Sequence, residues 1–198
     1  MNLLLPYFIL IIILLQLILR KNSKKTKESN DAFWKREASA NNVRRKDISK
    51  LDYIVIPDVL PYVTCDNAEI NRLQDRLISM KDKKILNLTG YSNTDLKIEY
   101  GVANLVKLSE YDDNFVKLAQ TITALGKALM NAGYVSEAAA FLEFGIQCAT
   151  DVTDNYIMLA KYYTDANQPE KIDELIIAAS SLKSLSKDVI IKKLEALR

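Results

Sequence analysis

Residues 119–152, AQTITALGKALMNAGYVSEAAAFLEFGIQCATDV, and residues 153–186, TDNYIMLAKYYTDANQPEKIDELIIAASSLKSLS, are one 34-residue unit written twice. Shifting the chain by 34 lays Ile122 on Tyr156, Leu125 on Leu159, Gly126 on Ala160, Leu129 on Tyr163, Gly133 on Asn167, Leu142 on Ile176 and Gly145 on Ala179, with size and polarity kept at each pair. Self-similarity at a fixed period of this length is the signature of stacked structural repeats. In the first copy the apolar residues at 122, 125 and 129 recur at helical spacing, a small residue at 126 admits a second helix, and Gly133 supplies the turn. Ala138, Leu142 and Gly145 share one face of the next segment, which reads as an antiparallel helix packed on the first.

The two copies resemble the tetratricopeptide repeat, whose first helix carries bulky, Leu, small and aromatic residues and whose second carries Ala, a bulky residue and Ala. The match covers about 68 of 198 residues. It departs at Ile172, where the family has Ala, and neither copy has the closing Pro. The resemblance implies stacked helical hairpins with a concave groove, lined by the first helices, in which a peptide or partner helix lies. Carried over by position, the groove is lined by Gln120, Thr123, Ala124, Lys127, Met130 and Asn131, then by Asp154, Ile157, Met158, Lys161, Thr164 and Asp165. The candidate partner-binding set is Thr123, Lys127, Met130, Asn131, Ile157, Lys161 and Thr164. Lys127 and Lys161 are one repeat apart, so they point the same way from adjacent helices and suit an acidic peptide or a C-terminal carboxylate. The other reading makes them ordinary solvated surface groups. Thr123 does not match the family's carboxylate clamp, which argues against a chaperone-tail ligand.

Lone repeats cannot bury their faces, so both ends need a cover. Residues 187–198 carry Ile190, Leu194 and Leu197 at i, i+4 and i+7 and read as a capping helix. Residues 66–118 read as an N-terminal helical cover, opening with a helix over 67–80 that Asp66 caps, with Ile70, Leu73, Leu77 and Met80 inward. Further helices are expected over 102–108 and 112–131. The segment before them, 51–65, includes LDYIVIPDVLPYV, β-branched and aromatic with two prolines; it reads as an extended arm burying Tyr53, Val55, Val59 and Tyr62.

At the other end, every residue from Leu3 to Leu19 is Leu, Ile or Phe except Pro6, Tyr7 and Gln16. As a helix the stretch reaches roughly 26 Å, within the range of membrane spans, and its insertion is worth on the order of −4 to −8 kcal/mol. Only Met1 and Asn2 precede it, whereas Arg20, Lys21, Lys24, Lys25 and Lys27 follow. A cleavable signal peptide has the opposite arrangement, so residues 1–20 read as a retained transmembrane anchor. The positive-inside rule then puts the N-terminus outside and the C-terminal domain in the cytoplasm. Residues 21–50 form a basic juxtamembrane linker, with KNSKKTKESND (21–31) expected to be disordered or frayed. Beyond it Phe33, Trp34, Lys35 and Arg36 suit either an interfacial helix at headgroup level or docking of the two rings on the folded domain. Taken whole, the chain resembles a group of bacterial single-span membrane proteins with repeat-type C-terminal halves. That likeness implies architecture and carries no activity.

Composition narrows the chemistry. Histidine is absent, which excludes Ser-His-Asp and Cys-His catalysis and His-ligated zinc. Cys65 and Cys148 fit reduced core thiols. The five glycines at 90, 101, 126, 133 and 145 are scattered singly, so no phosphate-binding loop occurs. Asn87-Leu88-Thr89 matches a glycosylation acceptor by spacing alone, and it is idle in the cytoplasm. Residues 20–50 hold 11 Lys and Arg against 4 acids, and residues 51–198 hold 16 against 21. The basic part adjoins the apolar stretch, so an anionic lipid surface accounts for it without nucleic acid. The expectation is a mostly α, non-enzymatic protein with no cofactor or metal, bound to the membrane and to an unidentified protein or peptide partner.

Overall fold

The computed structural model describes residues 4–198; the side chains at 4–6, 8–11, 13 and 25 lie outside the described residues, and with them much of the expected anchor and one flanking lysine. The helices are α1 (Leu4–Asn41), α2 (Ala68–Ile78), α3 (Asn93–Tyr100), a 3-10 turn (Val102–Asn104), α4 (Leu105–Asn131), α5 (Val135–Gln147), α6 (Thr153–Asp165), α7 (Pro169–Ser180) and α8 (Lys187–Glu195). Among the described residues there is no strand, and no helix is long and apolar enough to cross a membrane. Two units are distinct: one runs through Lys46 and takes in Ser92–Leu105, and the other comprises Asp47–Tyr91 and Val106–Arg198.

In the first unit the expected break after residue 20 is missing. Residues 21–31 contain neither Gly nor Pro, so nothing stops a helix already nucleated, and initiation is the costly step. Thr26 Oγ donates to the Asn22 carbonyl at 2.9 Å, and Lys24 faces Glu28 one turn on. α3 packs against the C-terminal end of α1. Thr94 Oγ donates to Glu37 at 2.7 Å, Lys97 pairs with the same carboxylate, which is 19% exposed, and Arg36 pairs with Asp95. The sequence reading places residues 92–105 in the cover of the repeats; the structure places them on α1, because Arg36 and Glu37 supply their charge partners. Asn104, fully buried, closes the unit by donating to the carbonyls of Lys46 at 2.7 Å and Tyr100 at 2.8 Å.

The second unit holds two cores. The first joins the arm and α2 to α4 and α5 through Ile56, Ile70, Leu73, Leu77, Leu118, Leu125 and Phe141. The second joins the far face of α5 to α6, α7 and α8 through Leu142, Tyr156, Leu159, Leu175, Ile190 and Leu194. The arm is extended, but two of the four residues expected to be buried are not. Ile54, Ile56 and Leu60 turn inward, whereas Val55 and Val59 are 75% and 88% exposed. Side chains alternate along an extended chain, so with Ile54 and Ile56 inward Val55 must face out. Tyr62 does pack inward, edge-to-face on Phe141, and Tyr53 is half-buried. Asn67 caps α2, accepting from Glu69 N and Ile70 N; Asp66 does not. The two helices expected over 102–131 are one, and Asp112 accepts from Leu88 N at 3.0 Å instead of capping a helix.

The two hairpins, α4–α5 and α6–α7, turn alike. Gly133 and Asn167 both have positive φ, +87° and +55°. Beside them Tyr134 N donates to Leu129 O at 3.0 Å and Gln168 N to Tyr163 O at 2.9 Å. These are the same left-handed helix ends, 34 residues apart. Leu125 and Leu159 are buried to within 1%. Gly126 has no side chain where a Cβ would stand 2.6 Å from Leu142 Cδ2, so α4 and α5 approach closely there.

Tyr156 is fully buried and its hydroxyl has no hydrogen-bond partner; burial, with Asp151 adding to it, pushes its pKa up to about 12. An unpaired buried hydroxyl costs about 1–3 kcal/mol. Tyr156→Phe is therefore expected to leave stability unchanged or raise it in urea unfolding. Tyr163→Phe should lower it by about 1 kcal/mol, because the Tyr163 hydroxyl donates to Glu143 at 2.6 Å.

Candidate functional site

The groove positions sit on the C-terminal half of α4 and on α6. Lys127, Asn131, Lys161 and Thr164 are exposed or nearly so, and Thr123, Met130 and Ile157 are half-buried. Neither arm nor α2 hides the two lysines. Met130 packs against both cores and Ile157 against the second, so each presents only an apolar edge. The threonines face their own helices: Thr123 Oγ donates to Ala119 O at 2.9 Å and Thr164 Oγ to Ala160 O at 3.0 Å. What remains is a strip with one cation on each hairpin and apolar patches between, able to hold an acidic segment by charge and contact area.

A buried amide that the sequence reading missed sets this strip. Asn155, fully buried at the start of α6, donates from Nδ2 to the Leu142 carbonyl of α5 at 2.9 Å. A Cβ on Gly145 would stand 2.8 Å from Asn155 Oδ1, so glycine makes room for the joint. Asn155 also lies 3.5 Å from Thr123 Oγ. One carboxamide thus ties α6 to the first hairpin. The only sequence signal for it was a polar residue on an otherwise apolar helix face.

Two clefts open on the second unit. One of about 310 Å³ is lined by Asp52, Ile54, Leu86, Tyr91, Cys148 and Lys183. Burial pushes the Cys148 thiol up to about 12, so it stays protonated near neutrality and is no nucleophile. Lys183 lies over the Tyr91 ring at 5.1 Å. Asn87 holds the side of this cleft, its Nδ2 donating to Cys148 O at 3.2 Å and Ala149 O at 3.0 Å. That amide is the acceptor atom of the glycosylation pattern, and it is already committed. The other cleft, about 340 Å³, lies among α5, α6 and α7 beside Glu143, Tyr163, Lys171 and Glu174. Among the described residues no cluster of His, Cys, Asp or Glu is arranged to hold a metal ion.

The membrane-surface set lies entirely on α1. Arg20, Lys21, Lys24, Lys27 and Lys35 are exposed, and the Lys25 side chain lies outside the described residues. Trp34 is 65% exposed, edge-to-face with Phe33 at 5.3 Å. Arg36 is paired with Asp95. Asp95 closes a capping box with Ser92. The Ser92 hydroxyl and backbone, then Arg36, hold the Asp95 carboxyl down to about 2. Hydrogen bonds to Lys97 and Thr94 likewise lower Glu37.

A scan of protein-family models, a search of curated proteins and a search of solved structures each find no match to this chain.

Both carboxyls are easier to ionise folded than unfolded, so their contribution to stability is full above the ordinary carboxylate range and is lost as pH falls below it, for Asp95 as the pH approaches about 2. Amide exchange at Asp95 and Leu96 is expected to accelerate across that window, beyond its intrinsic pH dependence, and Asp95→Asn should remove the excess acceleration. Asn87→Ala leaves two helix-end carbonyls without their donor. It should cost about 0.5–1.5 kcal/mol in urea unfolding, since water reaches at least one of the two.

Proposed function

We propose that this protein is a membrane-anchored cytoplasmic adaptor of tetratricopeptide type, which recruits a protein or peptide partner to the strip on α4 and α6. The observation that carries the reading is the placement of Lys127 and Lys161. They stand one repeat apart on the first helices of successive hairpins, both exposed, beside the half-buried Met130 and Ile157. An acidic segment with apolar residues matches that surface. The membrane part rests on the sequence, where Leu3 to Leu19 is Leu, Ile or Phe at all but Pro6, Tyr7 and Gln16 and five cations follow at once. Tethering raises the local concentration of whatever the adaptor meets at the membrane, so modest groove affinity suffices. We read the protein as a binding module on the strength of that surface.

A second reading, a structural subunit of a membrane complex, draws on the arm. Val55 and Val59 are 75% and 88% exposed, and together with the apolar N-terminal stretch they offer contacts that need no groove.

Affinity capture from solubilised membranes separates the two. With Lys127→Glu/Lys161→Glu the adaptor reading predicts loss of a partner that the wild type retains, and identical partner lists would remove the groove from consideration. Replacing residues 3–19 by an unrelated Leu-rich span should leave an adaptor's partner in place and should dissolve a subunit's contacts. A reporter fused after Arg198 reads the topology.

A further inference from the structure

The cleft of about 310 Å³ lies between the arm, the loop over 86–91 and the C-terminal ends of α5 and α7. All of its walls belong to the second unit. Ile54, Leu86 and Leu182 line it with apolar surface, and the buried Cys148 adds a small soft wall. Asp52 and Lys183 are charged and exposed at its rim. An apolar floor with a few charged or polar groups around it is the make-up of small-molecule sites, and the volume is at the small end of that class.

Both charges are positioned, and neither is neutralised. Asp52 stands two residues before Ile54 on the extended arm, so the two side chains leave on the same side. Ile54 N donates to Ile85 O at 2.9 Å and holds that register. Lys183 follows α7 and is held at both ends of its side chain. Its ammonium lies over the Tyr91 ring at 5.1 Å, and its stem packs against Gly90, where a Cβ would stand 2.8 Å from Lys183 Cβ. Among the described residues neither Asp52 nor Lys183 has an ion-pair or hydrogen-bond partner. An acid and a base thus line one cleft and do not meet.

These features select a ligand class by elimination. A simple anion would satisfy Lys183 and face the Asp52 carboxylate, and a simple cation would do the reverse. An uncharged apolar molecule would cover the floor and take water from both charges with nothing in exchange. A short zwitterion meets all three demands, its ammonium on Asp52, its carboxylate on Lys183 and an aliphatic side chain on Ile54, Leu86 and Leu182. We propose that this cleft binds such a zwitterion, a free branched-chain amino acid or an aliphatic dipeptide, with Asp52 and Lys183 as its two charge partners. The site uses neither the groove nor the membrane span, and it stands or falls apart from both.

The test is a titration of the full chain, isotope-labelled and held in detergent micelles, read by the amide resonances of Leu86, Cys148 and Leu182. The ligands are leucine and Leu-Leu, whose end charges stand about 3.8 Å further apart, each taken to about 10 mM. The controls are 4-methylpentanoate and 3-methylbutylamine, which keep the aliphatic body and one charge each. Saturable shifts are expected with at least one zwitterion, and binding at least about tenfold weaker with both controls. Asp52→Asn and Lys183→Gln, both at exposed positions, should each weaken the zwitterion by at least about tenfold. Asp52→Asn should at the same time tighten 4-methylpentanoate, because the repelling carboxylate is gone, and Lys183→Gln should tighten the amine; damage to the fold would weaken every ligand alike. No saturable shift with either zwitterion would overturn the proposal. So would controls that bind as tightly as the zwitterions, or single variants that bind leucine and Leu-Leu like the wild type.

Discussion

Every buried backbone N–H and C=O must find a partner, and outside the helices the described residues hold no sheet to provide one. Side-chain amides meet the demand. Gln74 accepts from Val63 N at 2.7 Å and donates to Val63 O at 2.9 Å, imitating a strand for one residue of the arm. Asn71 donates to Cys65 O, Asn114 to Lys84 O, Asn87 to the end of α5 and Asn155 to Leu142 O. Each carries donor and acceptor on one rigid group, which suits it to a single free peptide. They act beside a few direct bonds, Ile54 N to Ile85 O at 2.9 Å, Leu86 N to Tyr111 O at 3.2 Å and Leu88 N to Asp112 at 3.0 Å, in fixing the arm and the loop over 79–92.

That fixing matters because two helical hairpins alone have little interior and leave apolar faces to be covered at either end. Here the arm and α2 cover one end with Ile56, Ile70, Leu73 and Leu77, and α8 covers the other with Ile190 and Leu194. The covers leave Lys127 and Lys161 in solvent.

The hairpins and their turns were legible because they rest on local physics. Helical spacing, a small residue at 126 and a left-handed position at 133 and 167 are properties of a few neighbouring residues, and the structure displays each of them. α2 and α8 were legible as amphipathic helices. Three things were not. The continuity of α1 through KNSKKTKESND was hidden by its polarity, although nothing there breaks a helix. The parity of the arm depends on where its first contact falls, which no local pattern encodes. The assignment of α3 to α1 depends on Arg36 and Glu37 meeting Asp95 and Lys97, far along the chain, at a separation where spacing carries no information. The amide clamps share that long reach; helical period placed Lys127 and Lys161 on α4 and α6, but gave no sign of the Asn155 bond that ties α6 to α5.

The most direct measurement is amide hydrogen exchange at Val63. That residue lies in a segment with neither helix nor strand, so an open arm would exchange it at the rate of an unstructured peptide. If side-chain amides hold the arm, Val63 exchanges far more slowly than that, and Gln74→Ala restores the fast rate while the helices stay protected. A fast-exchanging Val63 in the unmodified protein would contradict the account.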